Sequence, residues 1–300
     1  MKILIIQARP GIGDLCVFLP PIHCIAKNNT KATFDLITKE RTHAKETLKY
    51  DPYIKNIFYL ENLNNSNLSL FNFIKKNLYD KVYIFHYGIR YPLICKIAGI
   101  KKIYSYGWLK KNENIVEKSK IACSSWLKAQ NLDFSYKLFR PKKSISASKK
   151  IVIGIGGSGP TKKWPTKNFI ELIHNINKIK QYDFVLAGGI VEREISTQII
   201  NALPDESIYS LCEKNIEESL NLLENAKCYI GNDTGFMHIC AGLGILSFGL
   251  FGDSPKNYSE YTSNIIPITP SNIQIVGYGS LAMNQITPKQ VFGEIEKLIK

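Results

Sequence analysis

The residues best suited to chemistry lie at positions 231–252, where an acidic, hydroxyl-bearing turn leads into a small-residue helix and then a strand. Asp233 and Thr234 are helix-capping residue types, because their side-chain oxygens accept the unpaired N–H groups of a first helical turn. Gly235 lets a ligand approach the backbone, and a helix N-terminus favours an anion such as phosphate. His238, about one turn further on and on or near the same face, is either a further ligand donor or a satisfied structural histidine. The stretch predicts a sugar-phosphate or nucleotide pocket at the carboxyl edge of a parallel sheet, with Asp233 bonded to sugar hydroxyls.

A second candidate loop follows the first apolar run of the chain and has the sequence PGIGD. Its glycines, Gly11 and Gly13, permit a tight turn that places Asp14 at a helix N-terminus, where the helix dipole stabilises a carboxylate. Asp14 is therefore either a structural cap or a general base that takes a proton from an acceptor hydroxyl. The glycines lack the G-x-G-x-x-G spacing and no acidic residue ends the next strand, which argues against dinucleotide binding.

A third loop, GGSGPTKKWP at residues 156–165, combines glycines, Ser158 and Lys162. Backbone N–H groups of such a loop can cradle a diphosphate while the lysine supplies positive charge. The spacing to the lysine excludes a Walker A loop. The alternative is a flexible loop in which Trp164 is a packing anchor. Glu192 follows a further Gly-Gly pair, and it either chelates the two hydroxyls of a ribose or stabilises a first helical turn.

Each of these loops is expected to follow a strand, and the pattern of apolar residues predicts such strands. The strands are expected at residues 2–8, 32–38, 54–60, 81–86, 101–106, 151–155, 183–186, 227–230 and 246–250. The helices are expected from the PGIGD loop to residue 26, at 69–78, 91–98, 167–179, 192–202, 216–225 and 235–243, and from about residue 288. Strands that alternate with helices predict parallel βαβ units and doubly wound sheets.

The segment at 140–150, RPKKSISASKK, is rich in Pro, Ser and Lys and is interpreted as a linker. We therefore expect two Rossmann-like domains, residues 1–145 and 146–300, with return of the last helix to the first domain left open. In such a layout the ligand cleft is expected between the domains, outside the carboxyl ends of the strands.

Composition narrows the class of protein. A chain of 300 residues that is 45% hydrophobic is expected to fold, and its seven cysteines lack a C-x-x-C pair, which indicates reduced, mostly buried thiols. No secretory core follows the start, and the longest apolar run, 239–252, is short and broken by glycines, so a cytoplasmic protein is expected. The net charge of +14 is attributed mainly to dispersed lysines, with attraction to an anionic partner as a minor contribution.

Together these loops resemble glycosyltransferase family 9, whose best-known members are the ADP-heptose:lipopolysaccharide heptosyltransferases. The resemblance runs in order and spacing from Met1 to about Pro255. It rests on MKILIIQARPGIGDLCVFLPPI, KKWPTKNFIELI, AGGIVERE and NDTGFMHICAGLGILSFGLFGDSP, of which the NDTG-x-x-H block beside LFG is the most specific. The diphosphate loop departs from the usual hydroxyl pair of the heptosyltransferases, since GGSG contains only Ser158.

The resemblance implies an α/β protein of GT-B architecture, in which the first domain binds the acceptor and the second binds the donor. It implies these roles: Asp14 as catalytic base, Ser158 and Lys162 at the donor diphosphate, Glu192 at the ribose, and Asp233, Thr234, Gly235 and His238 at the donor sugar and phosphate. The implied reaction is inverting transfer of a sugar, heptose from ADP-heptose, to a lipopolysaccharide core or related surface glycan. Lys162 and the helix N-terminus at Thr234 would stabilise the leaving group. No metal or other cofactor is expected.

The implied partners are an anionic glycolipid acceptor and, peripherally, the cytoplasmic face of the inner membrane. One alternative is a non-catalytic nucleotide-sugar-binding component of a polysaccharide assembly system, which the presence of Asp14 and Lys162 disfavours. Another is a basic nucleic-acid-binding protein, which the absence of any helix-turn-helix, zinc-finger or aromatic RNA-binding signature disfavours.

Overall fold

The computed structural model describes residues 1–64, 66–107, 113–141, 149–273 and 275–300. The chain divides into two compact units, Met1–Pro141 and Lys142–Lys300. Residues 142–148 of the expected linker, and with them the expected boundary at residue 145, lie outside the described residues.

The first unit is a five-stranded parallel sheet with two layers of helices. Its strands are β1 (Lys2–Ile6), β2 (Thr33–Thr38), β3 (Ile54–Tyr59), β4 (Lys81–Ile84) and β5 (Lys102–Ser105). Its helices are α1 (Ile12–Lys27), α2 (Ala44–Thr47), α3 (Asn67–Asn77), α4 (Arg90–Ile97) and α5 (Ile115–Leu127). Helix α1 packs with α5 and α3 packs with α4. The strand order is β3-β2-β1-β4-β5, so the direction of winding reverses between β1 and β4.

The second unit is a six-stranded parallel sheet. Its strands are β6 (Lys150–Gly154), β7 (Asp183–Ala187), β8 (Ile208–Ser210), β9 (Cys228–Asn232), β10 (Ser247–Leu250) and β11 (Ile265–Ile268). Its helices are α6 (Thr166–Asn177), α7 (Arg193–Ala202), α8 (Ile216–Leu223), α9 (Gly235–Gly242) and α10 (Pro288–Ile299). The strand order is β11-β10-β9-β6-β7-β8, which reverses between β6 and β9. Both orders are those of doubly wound sheets, which confirms the expected α/β class.

The last helix lies in the second unit. Helix α10 packs on α6, and the Tyr182 hydroxyl donates a hydrogen bond of 2.8 Å to the carbonyl of Ile299. Its apolar residues, among them Val291 and Ile295, are buried in the core of this unit. Among the helices of the described residues, none combines the length and the apolar character needed to cross a bilayer.

The apolar strands lie at the centre of the core, and the buried faces of the helices, such as α1 and α6, complete it. Strands β1 and β6 are central in their sheets, and Leu4 and Ile153 are fully buried there. All seven cysteines are free and buried, as their scattered positions indicated. The sequence prediction omitted β8 and β11, which have only three and four residues. It also omitted α5, which is capped by Asn114 through bonds from the N–H groups of Val116 and Glu117.

Strands β6 and β9 approach each other closely where Gly154 and Gly231 are paired in register. A Cβ at Gly154 would overlap the Tyr229 hydroxyl, which donates a 2.7 Å hydrogen bond to the carbonyl of Asn232. Gly231 has a φ of +153°, and a Cβ there would overlap the backbone of Gly154. Two glycines are therefore needed at this crossing, which fixes the end of β9.

This crossing generates a stability prediction. Gly231→Ala is expected to lower the free energy of unfolding by at least ~2 kcal/mol, because it adds both backbone strain and a backbone clash. Gly293→Ala is the matched control, since Gly293 lies within α10 and a Cβ there would meet nothing within 4 Å. The control should raise the free energy of unfolding by about 0.5–1 kcal/mol. Urea unfolding followed by circular dichroism measures both, and equal effects of the two variants would refute the role of Gly231.

Candidate functional site

Most of the candidate residues lie in, or in the first turn of the helix after, the loops that follow the strands at the two reversals of winding, and Glu192 follows the neighbouring strand β7. Ligands of doubly wound sheets bind outside the carboxyl ends of the strands at such points. In the second unit these loops are residues 155–165 after β6 and 233–235 after β9. In the first unit they are residues 7–11 after β1 and 85–89 after β4. Each unit therefore has its own candidate site, and the two are described separately.

Asn232, fully buried at the end of β9, ties the loop after β6 to the turn before α9. Its Nδ2 donates to the carbonyls of Ile155 (3.2 Å) and Gly156 (2.8 Å), and its Oδ1 accepts from the N–H of Trp164 (3.0 Å). The indole N–H of Trp164 donates to the carbonyl of Ile286 at 2.7 Å. Trp164 is thus a packing anchor, and the loop is held at both of its ends.

The two lysines of this loop have different partners. Lys163 Nζ lies 2.8 Å from Glu192 Oε1, and Glu192 Oε2 accepts a 2.8 Å hydrogen bond from the N–H of Gly189. Glu192 is 3% exposed, so it stabilises the turn before α7 and forms a buried ion pair. Lys162 Nζ lies instead 4.7 Å from the centre of the Tyr278 ring. Ser158 is exposed between these fixed points.

Asp233 is a largely buried carboxylate with a partner at each oxygen. Ser254 Oγ donates to its Oδ2 at 2.8 Å, and His238 Nε2 lies 3.3 Å from its Oδ1. Burial alone would raise the pKa of Asp233, but the bonds from His238 and Ser254 and the nearby charge of Lys162 together hold it below the ordinary value. Asp233 is therefore ionised at neutral pH and accepts hydrogen bonds only.

His238 bridges Asp233 to Tyr261. The Tyr261 hydroxyl lies 2.7 Å from His238 Nδ1, and the two rings stack with centroids 5.7 Å apart. His238 and Tyr261 are each 3% exposed. Because Asp233 only accepts, Nε2 must carry a proton, and in the neutral ring Nδ1 then accepts from Tyr261. The lone histidine is thus satisfied by the protein, and it also orients the carboxylate.

The expectation that Asp233 and Thr234 cap the following helix through their side chains is wrong. Thr234 is the N-cap residue of α9 but makes no side-chain capping bond, and its hydroxyl lies 3.3 Å from the Tyr229 hydroxyl. The Asp233 carboxylate bonds to Ser254 and His238. Tertiary partners therefore replace the local capping bonds. Gly235 is the first residue of α9, as the expected helix start indicated, and the approach of a ligand to its backbone stays a prediction.

Three strand ends of the second unit meet at Gly156. A Cβ on Gly156 would lie 3.6 Å from Glu192 Oε2 and 3.6 Å from Thr234 Cγ2. The sites after β6, β7 and β9 are thus in contact with one another. Because Gly156 has no side chain, a ligand can approach the backbone closely at this point.

Sequence reasoning missed Asp253, which follows β10. Its Oδ1 accepts from the N–H groups of Gly279 (2.8 Å) and Leu281 (3.0 Å). Burial would raise the pKa of Asp253, but these bonds, the Thr161 hydroxyl and the charge of Lys162 lower it. Asp253 therefore links the 277–281 loop to the lysine loop. A glycine and a polar residue in the segment after a strand are the same signal that identified the other loops, whereas Tyr261 has no comparable signal.

In the first unit, Asp14 occupies the third position of α1. Its Oδ2 accepts from the N–H of Gly11 at 3.1 Å, and Arg9 Nε lies 2.7 Å from its Oδ1. The capping alternative is therefore realised, with Gly11 as the N-cap residue and Gly13 in the first turn. The side chains of Arg9 and Asp14 remain 24% and 20% exposed, so the carboxylate can still be reached from solvent.

Three unpaired polar atoms lie at the same edge of the first sheet, and sequence reasoning missed all of them. Within the described residues, Gln7 Nε2, His86 Nδ1 and the Tyr106 hydroxyl are buried and have no hydrogen-bond partner. Burial, followed by the charges of Arg9, Lys39 and Arg90, lowers the pKa of His86. Burial is also the main reason that the pKa of Tyr106 is raised. Unpaired buried polar atoms are rare in proteins, and they indicate a place where a polar ligand can bond.

The described ranges contain no group of three or more His, Cys, Asp or Glu side chains that could hold a metal ion. The donor sets that do occur consist of carboxylates paired with lysine, arginine or histidine. The chemistry that they can perform is hydrogen bonding to hydroxyls, neutralisation of phosphate and proton transfer. The expectation that no metal is required stays a prediction.

Comparisons with known proteins find similarity to heptosyltransferases. Lipopolysaccharide heptosyltransferase 2 of Salmonella typhimurium is 26% identical over 155 residues, which is 47% of this chain and 44% of that protein. The match thus spans less than half the length of that relative. The structure of E. coli ADP-heptose lps heptosyltransferase II has a TM-score of 0.80 at 20% identity, covering 100% of this chain and 98% of that one. The family 9 glycosyl transferase from Veillonella parvula has a TM-score of 0.83 at 15% identity, covering 99% and 97%.

At these identities the structural likeness shows a shared fold. The sequence model of the family described as "Glycosyltransferase family 9 (heptosyltransferase)" matches residues 117–289. This segment contains the lysine loop, Glu192 and the 233–238 turn. Since this match covers more than half of the sequence, the chain belongs to glycosyltransferase family 9.

Proposed function

We propose that this protein transfers a sugar from a nucleoside diphosphate donor to a hydroxyl group of a lipopolysaccharide core or a related surface glycan, with inversion. The observation that carries the proposal is the meeting of the strand ends at Gly156, where Glu192, Thr234 and the lysine loop come together. Heptose from ADP-heptose is the proposed donor group. The Salmonella relative is a heptosyltransferase, and the E. coli structural neighbour is an ADP-heptose heptosyltransferase.

The donor is proposed to bind the second unit through its charged and polar groups. The diphosphate would lie at the N-terminus of α9, with the Lys162 ammonium and the exposed Ser158 hydroxyl on it. Glu192 would bond the ribose hydroxyls while keeping Lys163 and Gly189, because each carboxylate oxygen has two lone pairs. Asp233 would bond the sugar hydroxyls in the same way, with His238 holding its orientation.

The acceptor is proposed to bind the first unit, with Asp14 as the general base. The acceptor oxygen attacks the anomeric carbon as its proton passes to the Asp14 carboxylate, and the bond from the anomeric carbon to the diphosphate oxygen breaks. A single displacement of this kind inverts the anomeric centre. The charge that develops on the leaving nucleoside diphosphate is stabilised by Lys162 and the α9 N-terminus. Arg9 and the Gly11 N–H would keep the base oriented.

An anionic glycolipid is the proposed acceptor class. The unpaired His86 Nδ1 and Tyr106 hydroxyl are available to a polar ligand at this edge of the first sheet. Arg9 and Lys39 place positive charge near His86, since after burial their charges lower its pKa. The net charge of +14 also suits an anionic molecule. Contact with the inner-membrane surface and a cytoplasmic location stay predictions.

Replacing the proposed base tests the reaction. Asp14→Asn should lower the rate of heptose transfer from ADP-heptose to a lipopolysaccharide core acceptor by at least ~100-fold, because an amide cannot accept the proton. The affinity for ADP should not change. Glu218→Gln is the matched control, since Glu218 forms the same kind of helix-capping bond, from the N–H of Asn215 at 3.1 Å. Full transfer by Asp14→Asn would exclude Asp14 as the base, and donor binding without any transfer by the wild type would favour the non-catalytic alternative.

The adjacent lysines make a second test. Lys162→Ala should weaken binding of ADP by about tenfold or more and leave adenosine binding unchanged, because only the diphosphate requires its charge. Lys163→Ala removes the partner of the buried Glu192, so it should weaken adenosine and ADP equally. Isothermal titration calorimetry with both ligands gives the comparison. A larger loss of ADP affinity in Lys163→Ala than in Lys162→Ala would contradict the assignment of the diphosphate to Lys162.

The partners of Asp233 predict a pH effect. The pKa of Asp233 in the folded protein is lower than the ordinary aspartate pKa of 3.8. Asp233 therefore stays ionised down to pH 3.8, and sugar binding should be lost only below this pH. In Ser254→Ala burial still opposes ionisation while one bond that favours it is gone, and the pKa should rise. The acid limb of ADP-heptose affinity should therefore move to higher pH. ADP itself, which lacks the sugar, is the control ligand, and coincident acid limbs in variant and wild type would contradict the role of Asp233.

A further inference from the structure

Helix α4 carries apolar side chains on its outer face. Ile89, Leu93 and Ile97 are 67%, 51% and 65% exposed, and their spacing of four residues places them along one side of the helix. Tyr91 and Cys95 on the opposite side are buried in the core. A surface helix normally has one apolar face, which is turned inward. Helix α4 has two, so its outer face needs a separate explanation.

A further exposed aliphatic side chain lies at the start of the neighbouring helix α3. Asn67 Oδ1, at the start of α3, accepts a 2.8 Å hydrogen bond from Arg90 Nε at the start of α4. The next residue, Leu68, is 67% exposed. We call Leu68, Ile89, Leu93 and Ile97 the α4 patch. Exposed aliphatic side chains grouped on neighbouring elements are typical of a surface that contacts another apolar phase.

Cationic side chains border the α4 patch. On the helical wheel Arg90 and Lys96 flank the stripe on its two sides, and both are exposed. Lys101, in the loop after the helix, and Lys102, the first residue of β5, are exposed as well. The segment 66–107 contains seven Lys and Arg residues against a single acidic residue, Asp80. The patch is therefore apolar at its centre and positively charged at its margin.

We propose that the α4 patch docks the protein on the surface of an anionic phospholipid bilayer. Interfacial helices combine an apolar face with lysines and arginines that reach the lipid head groups, as found here. Because α4 has eight residues, it would lie in the plane of the interface. The charge attracts anionic lipid and falls off within a Debye length, so docking is sensitive to salt.

A bilayer suits the size of the patch better than a second protein does. Four partly exposed aliphatic side chains offer an apolar area of no more than a few hundred Å². A stable protein interface covers about 800 Å² on each partner, and lysine is depleted from its core. A lipid surface requires no such area, because each aliphatic group partitions independently. The proposal goes beyond the transferase activity and does not depend on the identity of the donor or the acceptor.

Co-sedimentation with vesicles tests the proposal. Wild-type protein should sediment with phosphatidylethanolamine vesicles that contain phosphatidylglycerol, less with phosphatidylcholine vesicles, and less at high salt. The variant Ile89→Ser, Leu93→Gln, Ile97→Gln should partition to the anionic vesicles at least ~10-fold more weakly. The matched control is Leu78→Asn, Ile121→Gln, Leu222→Gln, whose side chains are also exposed and lie outside the patch. The control should partition like the wild type.

Three results would overturn the proposal. These are wild-type protein that stays in solution with anionic vesicles, equal partitioning of the α4 and control variants, and self-association of the wild type that the α4 variant loses on size-exclusion chromatography. A far-ultraviolet circular dichroism spectrum and a cooperative urea unfolding transition like those of the wild type verify that the α4 variant is folded. A wild type that binds vesicles but neither ADP nor ADP-heptose would contradict the transferase and leave the docking surface intact.

Discussion

The candidate donor site depends on one buried amide. Asn232 uses both protons and its carbonyl oxygen to hold the two ends of the loop that follows β6. An aspartate there would lack the two donors, and a leucine would leave two carbonyls and an N–H unpaired in the core, at a cost of ~1–3 kcal/mol for each group. The close crossing at Gly154 and Gly231 brings Asn232 within reach of that loop. The geometry of the lysine loop is therefore set by packing between two strands.

Charge is the second constraint. Asp233 and Asp253 are both buried and both keep a lowered pKa, which is possible only because each has hydrogen-bond donors and the nearby charge of Lys162. A diphosphate brought to this place would add negative charge beside two carboxylates. Lys162 and the N-terminus of α9 are the groups able to offset it. Lys162 thus stabilises the two carboxylates in the unliganded protein and would also bind the proposed diphosphate, whereas Lys163 is paired with Glu192.

The sequence predicted the parts of the molecule that are encoded locally. Each strand-to-helix junction combines an apolar run with glycine and a polar residue, so the positions of the strands and of Asp14, Glu192 and Asp233 could be inferred. The contacts of those residues could not, because they join distant parts of the chain, such as His238 to Tyr261 and Asp253 to Gly279. The predicted side-chain capping by Asp233 and Thr234 failed for this reason. Lys162 and Lys163, adjacent in sequence, differ only in tertiary partners.

Asp14 and Glu192 share one local motif but differ in burial, which bears on the different roles proposed for them. Each carboxylate accepts the N–H of a glycine three residues earlier, and each pairs with a cation, Arg9 at 2.7 Å and Lys163 at 2.8 Å. Their side-chain exposures differ, at 20% for Asp14 and 4% for Glu192. A base must meet the hydroxyl that it deprotonates and then release the proton to solvent, which a buried ion pair opposes. A carboxylate that only positions a ligand gains from burial, because its orientation is fixed. The same motif is therefore compatible with the proton transfer proposed for the first unit and with the ligand binding proposed for the second.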